Sequence, residues 1–270
     1  MLKSKSKVQI VYFFLLAAFF LIFFQSCSSI NYQNRHDTQA YILAKKISDF
    51  NKKITSSKGI GWLKIKKTKN NIITPENNQN MARSFRIAWA AQYPDKIRIT
   101  FLSSGFPVET MISNGQSIKL FSHTGNHSIK TYNIKNPSLK DIFFIPVRVN
   151  DIITLLTGQI PVKDFNYAFF DSKQACNDSK IRSIILKKTA QNSLQKLFIN
   201  EQNQIEKYIL TDWKIKPVYS INFFNYTQIN SASIAKKIII HDRIGREVSF
   251  EISKFYINPP VKTSLFTLTD

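Results

Sequence analysis

The chain has 270 residues, with 38 Lys or Arg against 17 Asp or Glu and a formal net charge of +21. Its two cysteines, Cys27 and Cys176, exclude a disulfide-rich scaffold. The fold must be held by its core, and a chain of this length can build one large enough as a single domain.

Residues 8–24 are apolar apart from Gln9, and Lys3, Lys5 and Lys7 precede them. A basic segment, an apolar run and then small residues form the pattern of an export signal. An uncleaved membrane anchor is the alternative, although the run is shorter than the roughly 20 residues that span a bilayer. Phe24-Gln25-Ser26-Cys27 resembles a bacterial lipobox, where the cysteine thiol is acylated and the chain is cut before it. Ser26 fits that pattern, whereas Phe24 and Gln25 depart from it, and cleavage after Ser28 is the alternative. The expected organisation is a lipoprotein signal peptide over 1–26, a lipidated tether over 27–37 and one domain over 38–270. Loss of 1–26 removes three lysines and no acids, leaving a formal charge of +18.

A helix opens the domain. Leu43, Ile47, Phe50 and Ile54 fall on one helical face, and Lys45, Lys46, Lys52 and Lys53 lie mostly off it. Then the period changes to two. Leu63 and Ile65 alternate with Lys64 and Lys66; Phe85, Ile87 and Trp89 alternate with Arg86 and Ala88; Ile97, Ile99 and Phe101 alternate with Arg98 and Thr100. Similar runs follow at 118–120, 181–188, 194–200, 205–211, 218–227, 235–242 and 247–257. Asn114-Gly115, Gly125-Asn126, residues 200–203 and Ile244-Gly245-Arg246 supply turns between them. Residues 150–157 interrupt the strands as a short helix, with Asn150 as its expected N-cap and Gly158 and Pro161 ending it. Residues 69–80 are a mostly polar loop. The order predicts a helix, about six strands, a helix and about six more strands. One polar and one apolar face per strand predicts a single curved antiparallel sheet, because a doubly covered parallel sheet is apolar on both faces.

Four stretches in this order carry a family resemblance. They are Gly59-Ile60-Gly61-Trp62-Leu63; Tyr93-Pro94-Asp95-Lys96 followed by Ser104-Gly105-Phe106-Pro107 and Ser113-Asn114-Gly115-Gln116-Ser117; residues 151–161; and the end of the last strand with Asn258-Pro259-Pro260 and Phe266. With them the chain resembles the LolA/LolB-like lipoprotein carriers and receptors, and more closely an uncharacterised bacterial lipoprotein family related to them. The resemblance implies an α+β fold, mainly β: an incomplete β-barrel of about 11–12 strands with an N-terminal helix and a central helical lid over an apolar cavity. It implies no enzyme and no cofactor. The implied partners are acyl chains of lipids or lipoproteins, the membrane through a lipid on Cys27, and a periplasmic carrier protein. The implied location is the outer membrane, facing the periplasm. Phe106 stands where the receptors carry an apolar residue on the loop after the third strand, as a membrane or cargo contact. The alternation then nominates Phe85, Ile87, Trp89, Ile97, Ile99 and Phe101 as cavity lining, with Leu155 and Leu156 from the lid. The alternative function is a structural or assembly subunit of an envelope complex with a filled interior.

Other chemistry finds little support. His123 and His127 stand four apart, a zinc spacing only on a helix, and the Gly-Asn pair between them predicts a hairpin. No Gly-x-Ser-x-Gly elbow or phosphate-binding glycine loop occurs. The basic charge suits nucleic acid, but export argues against that partner and in favour of anionic lipid headgroups.

Overall fold

The computed structural model describes residues 37–66, 82–143, 145–171, 181–189 and 193–267. The expected signal peptide, Cys27, the tether up to residue 36, the 69–80 loop and Cys176 lie outside the described residues.

Helix α1 (Thr38–Lys53) comes first. Asp37 caps it: Oδ1 accepts from the amides of Gln39 at 2.9 Å and Ala40 at 3.2 Å, satisfying donors that a helix start leaves unpaired. Six strands follow: β1 (Ser56–Lys66), β2 (Ala82–Gln92), β3 (Lys96–Ser103), β4 (Phe106–Asn114), β5 (Ile118–Ser122) and β6 (Lys130–Tyr132). Two short helices, α2 (Lys140–Phe143) and α3 (Val149–Leu156), separate them from seven more: β7 (Tyr167–Phe170), β8 (Arg182–Lys187), β9 (Leu194–Ile199), β10 (Ile205–Thr211), β11 (Pro217–Ile229), β12 (Ala232–Asp242) and β13 (Glu247–Ile257). A 3-10 turn, Thr263–Phe266, follows the last strand.

All thirteen strands form one open antiparallel sheet in the order β6-β5-β4-β3-β2-β1-β13-β12-β11-β10-β9-β8-β7. Each half is a meander, and β1 pairing with β13 joins the halves. The expected half-barrel architecture is present, with one or two strands more than the pattern indicated. The edge strand β6 is exposed at all three positions, so it carries no alternation to read.

The expected central helix is present and packs closely against the sheet. Seven of its eight residues are buried, including Val149, Ile152, Ile153, Leu155 and Leu156. A helix buried on nearly all sides belongs to the core, and α3 fills part of the concave face. It also starts one residue before Asn150. Arg148 is the N-cap residue, and its amide donates to Asp151 Oδ2 at 3.3 Å, while the Asn150 amide donates to Asn136 Oδ1 at 3.0 Å. The end is a Schellman motif: the Gly158 amide donates to Leu155 O and the Gln159 amide to Thr154 O. Gly158 has φ +76°, the left-handed conformation that this motif requires.

Two polar anchors hold α3. Leu156 O accepts from Ser57 Oγ at 2.7 Å and from the Trp89 indole Nε1 at 3.1 Å. Asp151, buried at the other end, accepts from the Tyr219 hydroxyl at 2.9 Å, and the Tyr208 hydroxyl donates to Gln195 Oε1 at 3.2 Å. Burial pushes the phenols of Tyr208 and Tyr219 well above their ordinary range, and the neighbouring Asp151 adds to both shifts. The unfolded chain ionises its tyrosines near pH 10, before the folded chain does. Stability is therefore complete below about pH 10 and is lost as pH rises above it toward the folded values. Thermal melts across the alkaline range should fall steeply above about pH 10, and Tyr208→Phe should flatten that fall.

Candidate functional site: an apolar cavity under the first helix

Leu43, Ile47 and Phe50 form the inner stripe of α1, one helical turn apart and packed against the core. Beneath them β10–β12 turn Ile205, Phe223, Tyr226, Ala235 and Ile238 inward, and the α3 terminus adds Leu155 and Gly158. These groups enclose a cavity of about 430 Å³, within the range of small-molecule sites. It reaches the end of the sheet where the β9–β10 and β11–β12 turns lie, with Asn203, Gln204, Gln228, Ser231 and Ser233 around it. Lys46, exposed on α1, is the one charged residue of the lining among the described residues.

Hydrogen bonds tie several wall groups to the backbone. Tyr226 donates its hydroxyl to Ile205 O at 2.6 Å, and burial, with the charge of Glu206, holds the phenol protonated far above its usual range. Asn51 clips α1 to the chain beyond α3: Nδ2 donates to Ile160 O at 2.6 Å, and Oδ1 accepts from the Ile160 amide at 3.1 Å. Gln159 is buried in the wall. Its Nε2 donates to Ile54 O, which fixes the orientation of the amide. Its Oε1 has no hydrogen-bond partner among the described residues. A buried acceptor left unpaired costs about 1–3 kcal/mol.

Of the lining residues nominated from the sequence, Leu155 lies in this cavity. Leu156, Ile87, Trp89, Ile97, Ile99 and Phe101 are buried in the packed core, and Phe85 packs against it. The structure does bring these side chains together on the concave face, but α3 and the Trp89 indole fill that half. Phe106 is 74% exposed at the tip of the β3–β4 hairpin. Ser104 (φ +50°) and Gly105 (φ +87°) form a two-residue turn with both centres left-handed, and Ser103 pairs with Phe106 across it. By strand direction this tip lies at the end of the sheet opposite the polar margin of the cavity.

The contribution of α1 to the cavity comes from its apolar stripe, which one helical face of the sequence already displays. The β10–β12 residues were missed, because inward-facing packed and inward-facing open positions look alike in an alternating pattern. His123 and His127 sit in the β5–β6 hairpin loop, His123 Nε2 against Thr110 Oγ1 at 2.9 Å and His127 Nε2 3.5 Å from Glu109 Oε1. Among the described residues, no group of three or more His, Cys, Asp or Glu side chains is placed to hold a metal. Among them, too, no helix is long and apolar enough to cross a membrane. Arg98 reaches the C-terminal turn, with Nη1 3.5 Å from Leu265 O, rather than α3.

No protein-family model matches the chain, and no curated protein matches it. Solved structures do share its fold. A LolA superfamily protein from Nitrosomonas europaea superposes with a TM-score of 0.52 at 13% identity, over 85% of this chain and 97% of its own. A domain provisionally named as an outer membrane lipoprotein-sorting protein, from Vibrio parahaemolyticus, gives 0.54 at 11% identity, over 84% and 96%. A DUF1329 family protein from Desulfovibrio piger gives 0.54 at 11% identity, over 85% and 96%. The chain has the LolA-type fold.

Proposed function

We propose that this protein is an envelope lipoprotein, anchored through Cys27 to the outer membrane, whose cavity binds the acyl chains of lipids or lipoproteins for transfer. The observation that carries the reading is the apolar cavity between α1 and β10–β12, with its charge confined to Lys46 among the described residues. Each methylene buried there contributes about 0.8 kcal/mol, so a chain of several methylenes is held without any catalytic group. Lys46 suits a phosphate or carboxylate at the open end of the guest. Phe106 serves as the exposed apolar contact for membrane or cargo. The likeness in fold to a LolA superfamily protein and to a lipoprotein-sorting domain supports the same role.

The test is cross-linking in cells that express the full chain and are fed a diazirine-bearing fatty acid. The reading expects adducts on peptides containing Phe50, Ile205 or Phe223. Adducts confined to the N-terminal segment, or none, would overturn it. The filled half of the concave face favours one second reading, an assembly subunit of an envelope complex, and that reading predicts no adduct on the cavity peptides.

A further inference from the structure

The turn between β10 and β11 has a residue in the wrong place for stability. Asp212 organises it: its Oδ1 accepts from the amides of Lys214 and Lys216, both at 2.9 Å, and the Ile215 amide donates to Asp212 O at 3.0 Å. Two other turns are built the same way. Asn200 accepts from the amides of Gln202 and Gln204, and Asp242 accepts from those of Ile244 and Arg246. In each, the fourth residue is left-handed. It is Asn203 (φ +59°) in the first and Gly245 (φ +82°) in the second, the residue types that tolerate this conformation. In the β10–β11 turn it is Ile215, at φ +61°. A β-branched residue there is strained, and Ile215 is 62% exposed, so no core contact offsets the strain.

The neighbours share this character. Trp213, beside it, is 67% exposed, with the Lys214 ammonium 4.6 Å from its ring centroid. Tyr219 pairs with Asp242, which sets the start of β11 beside the end of β12 and makes the β12–β13 turn the next one along this end of the sheet. That turn exposes Ile244 and Arg243. The acids of both turns face inward: Asp212 is committed to backbone amides, and Asp242 to amides and to Arg246 at 2.6 Å. What projects outward is Trp213, Ile215 and Ile244 among Lys214, Lys216 and Arg243, all exposed. The Phe106 hairpin lies at the same end of the strands.

We infer that the β10–β11 and β12–β13 turns form a docking edge for an anionic lipid surface, with Trp213 and Ile215 entering the headgroup region. A tryptophan is favoured at that depth because its ring is apolar and its N–H polar. Lysine and arginine beside it meet lipid phosphates. A protein partner would need shape complementarity, and two narrow turn tips offer little; charge and amphipathic tips are what a bilayer reads. The inference does not depend on the cavity being occupied.

The test uses the full chain in vesicles of phosphatidylcholine with or without phosphatidylglycerol, each carrying brominated acyl chains that quench tryptophan. Subtracting the emission of Trp213→Phe from that of the wild type isolates Trp213. The docking edge predicts about twofold quenching of that component in the anionic vesicles, little in neutral ones, and loss of the difference at high salt. Equal emission in both vesicle types overturns the inference. Ile215→Asn supplies a readout of opposite signs. It places at the strained position the residue that the Asn200 turn already uses, so the melting temperature should rise by a few degrees while Trp213 quenching falls. A lower melting temperature with unchanged quenching would show that Ile215 serves the fold, and would overturn its assignment to the membrane.

Discussion

Ala235→Trp is expected to weaken acyl-chain uptake about a hundredfold while leaving the fold intact. Ala235 lies on β12, paired with Tyr226 across the ladder, and lines the cavity with Phe223, Leu155 and Ile238. A tryptophan at that position has open space in front of it, so its indole occupies the volume that a guest chain needs. Displacing four methylenes at about 0.8 kcal/mol each removes about 3 kcal/mol, roughly a hundredfold in Kd. Cross-linking to the cavity peptides at subsaturating fatty acid should fall by a similar factor. Circular dichroism and the melting temperature should stay near wild type, since the added ring lies over an existing void rather than inside packed core. Undiminished cross-linking would mean that the guest lies elsewhere.

The second large effect falls on the fold and has an unusual sign. In an ordinary strand, Gly→Ala stabilises by about 0.5–1 kcal/mol, because glycine loses more freedom on folding. Gly59 sits in β1 between Trp89 of β2 and β13. A Cβ there would come within 2.1 Å of the Trp89 ring and 2.7 Å of Lys254 O. The ring cannot withdraw cheaply, because its Nε1 donates to Leu156 O and to Ser57 Oγ. Gly59→Ala is therefore expected to destabilise by about 3 kcal/mol, in the upper range for overpacking. At roughly 2–4 °C per kcal/mol for a domain of this size, that is a fall of about 6–12 °C in melting temperature. The consequence reaches the site, because a displaced Trp89 releases the end of α3 that borders the cavity. A melting temperature at or above wild type would show that Trp89 is not held as described.

Much of this architecture was legible in the sequence. The stripe of Leu43, Ile47 and Phe50 marked α1, and alternation gave seven later runs close to their observed bounds, as in Ile205–Thr211 and Glu247–Ile257. The family resemblance, rather than alternation, placed Phe106 on the loop after the third strand, where the structure has the β3–β4 hairpin. Other features left no local trace. The start of α3 is set by Asp151, whose carboxylate is tied to Tyr219 from a distant strand, and nearest-neighbour signals favoured Asn150 instead. The cavity was harder still. Ile99 and Ile238 both face inward and both belong to the packed core, but Ile238 also borders the cavity. That difference depends on where α1 and α3 come to rest, which alternation within a strand cannot encode. Phe106 and the cavity margin illustrate the same limit. Nothing local to either segment says where they lie relative to one another, and strand direction sets them at opposite ends of the sheet. A docked edge at the Phe106 end then turns the cavity margin away from the bilayer, which suits a cargo arriving from the aqueous side.

The central claim is that the cavity holds an acyl chain, and native mass spectrometry of the full chain extracted from its own envelope tests it most directly. After detergent is stripped in the gas phase, the account predicts a bound acyl species near one per chain in the wild type and far less in Ala235→Trp. A wild-type protein that flies free of lipid, and stays free after incubation with lipid or diacylated lipopeptide, would contradict it.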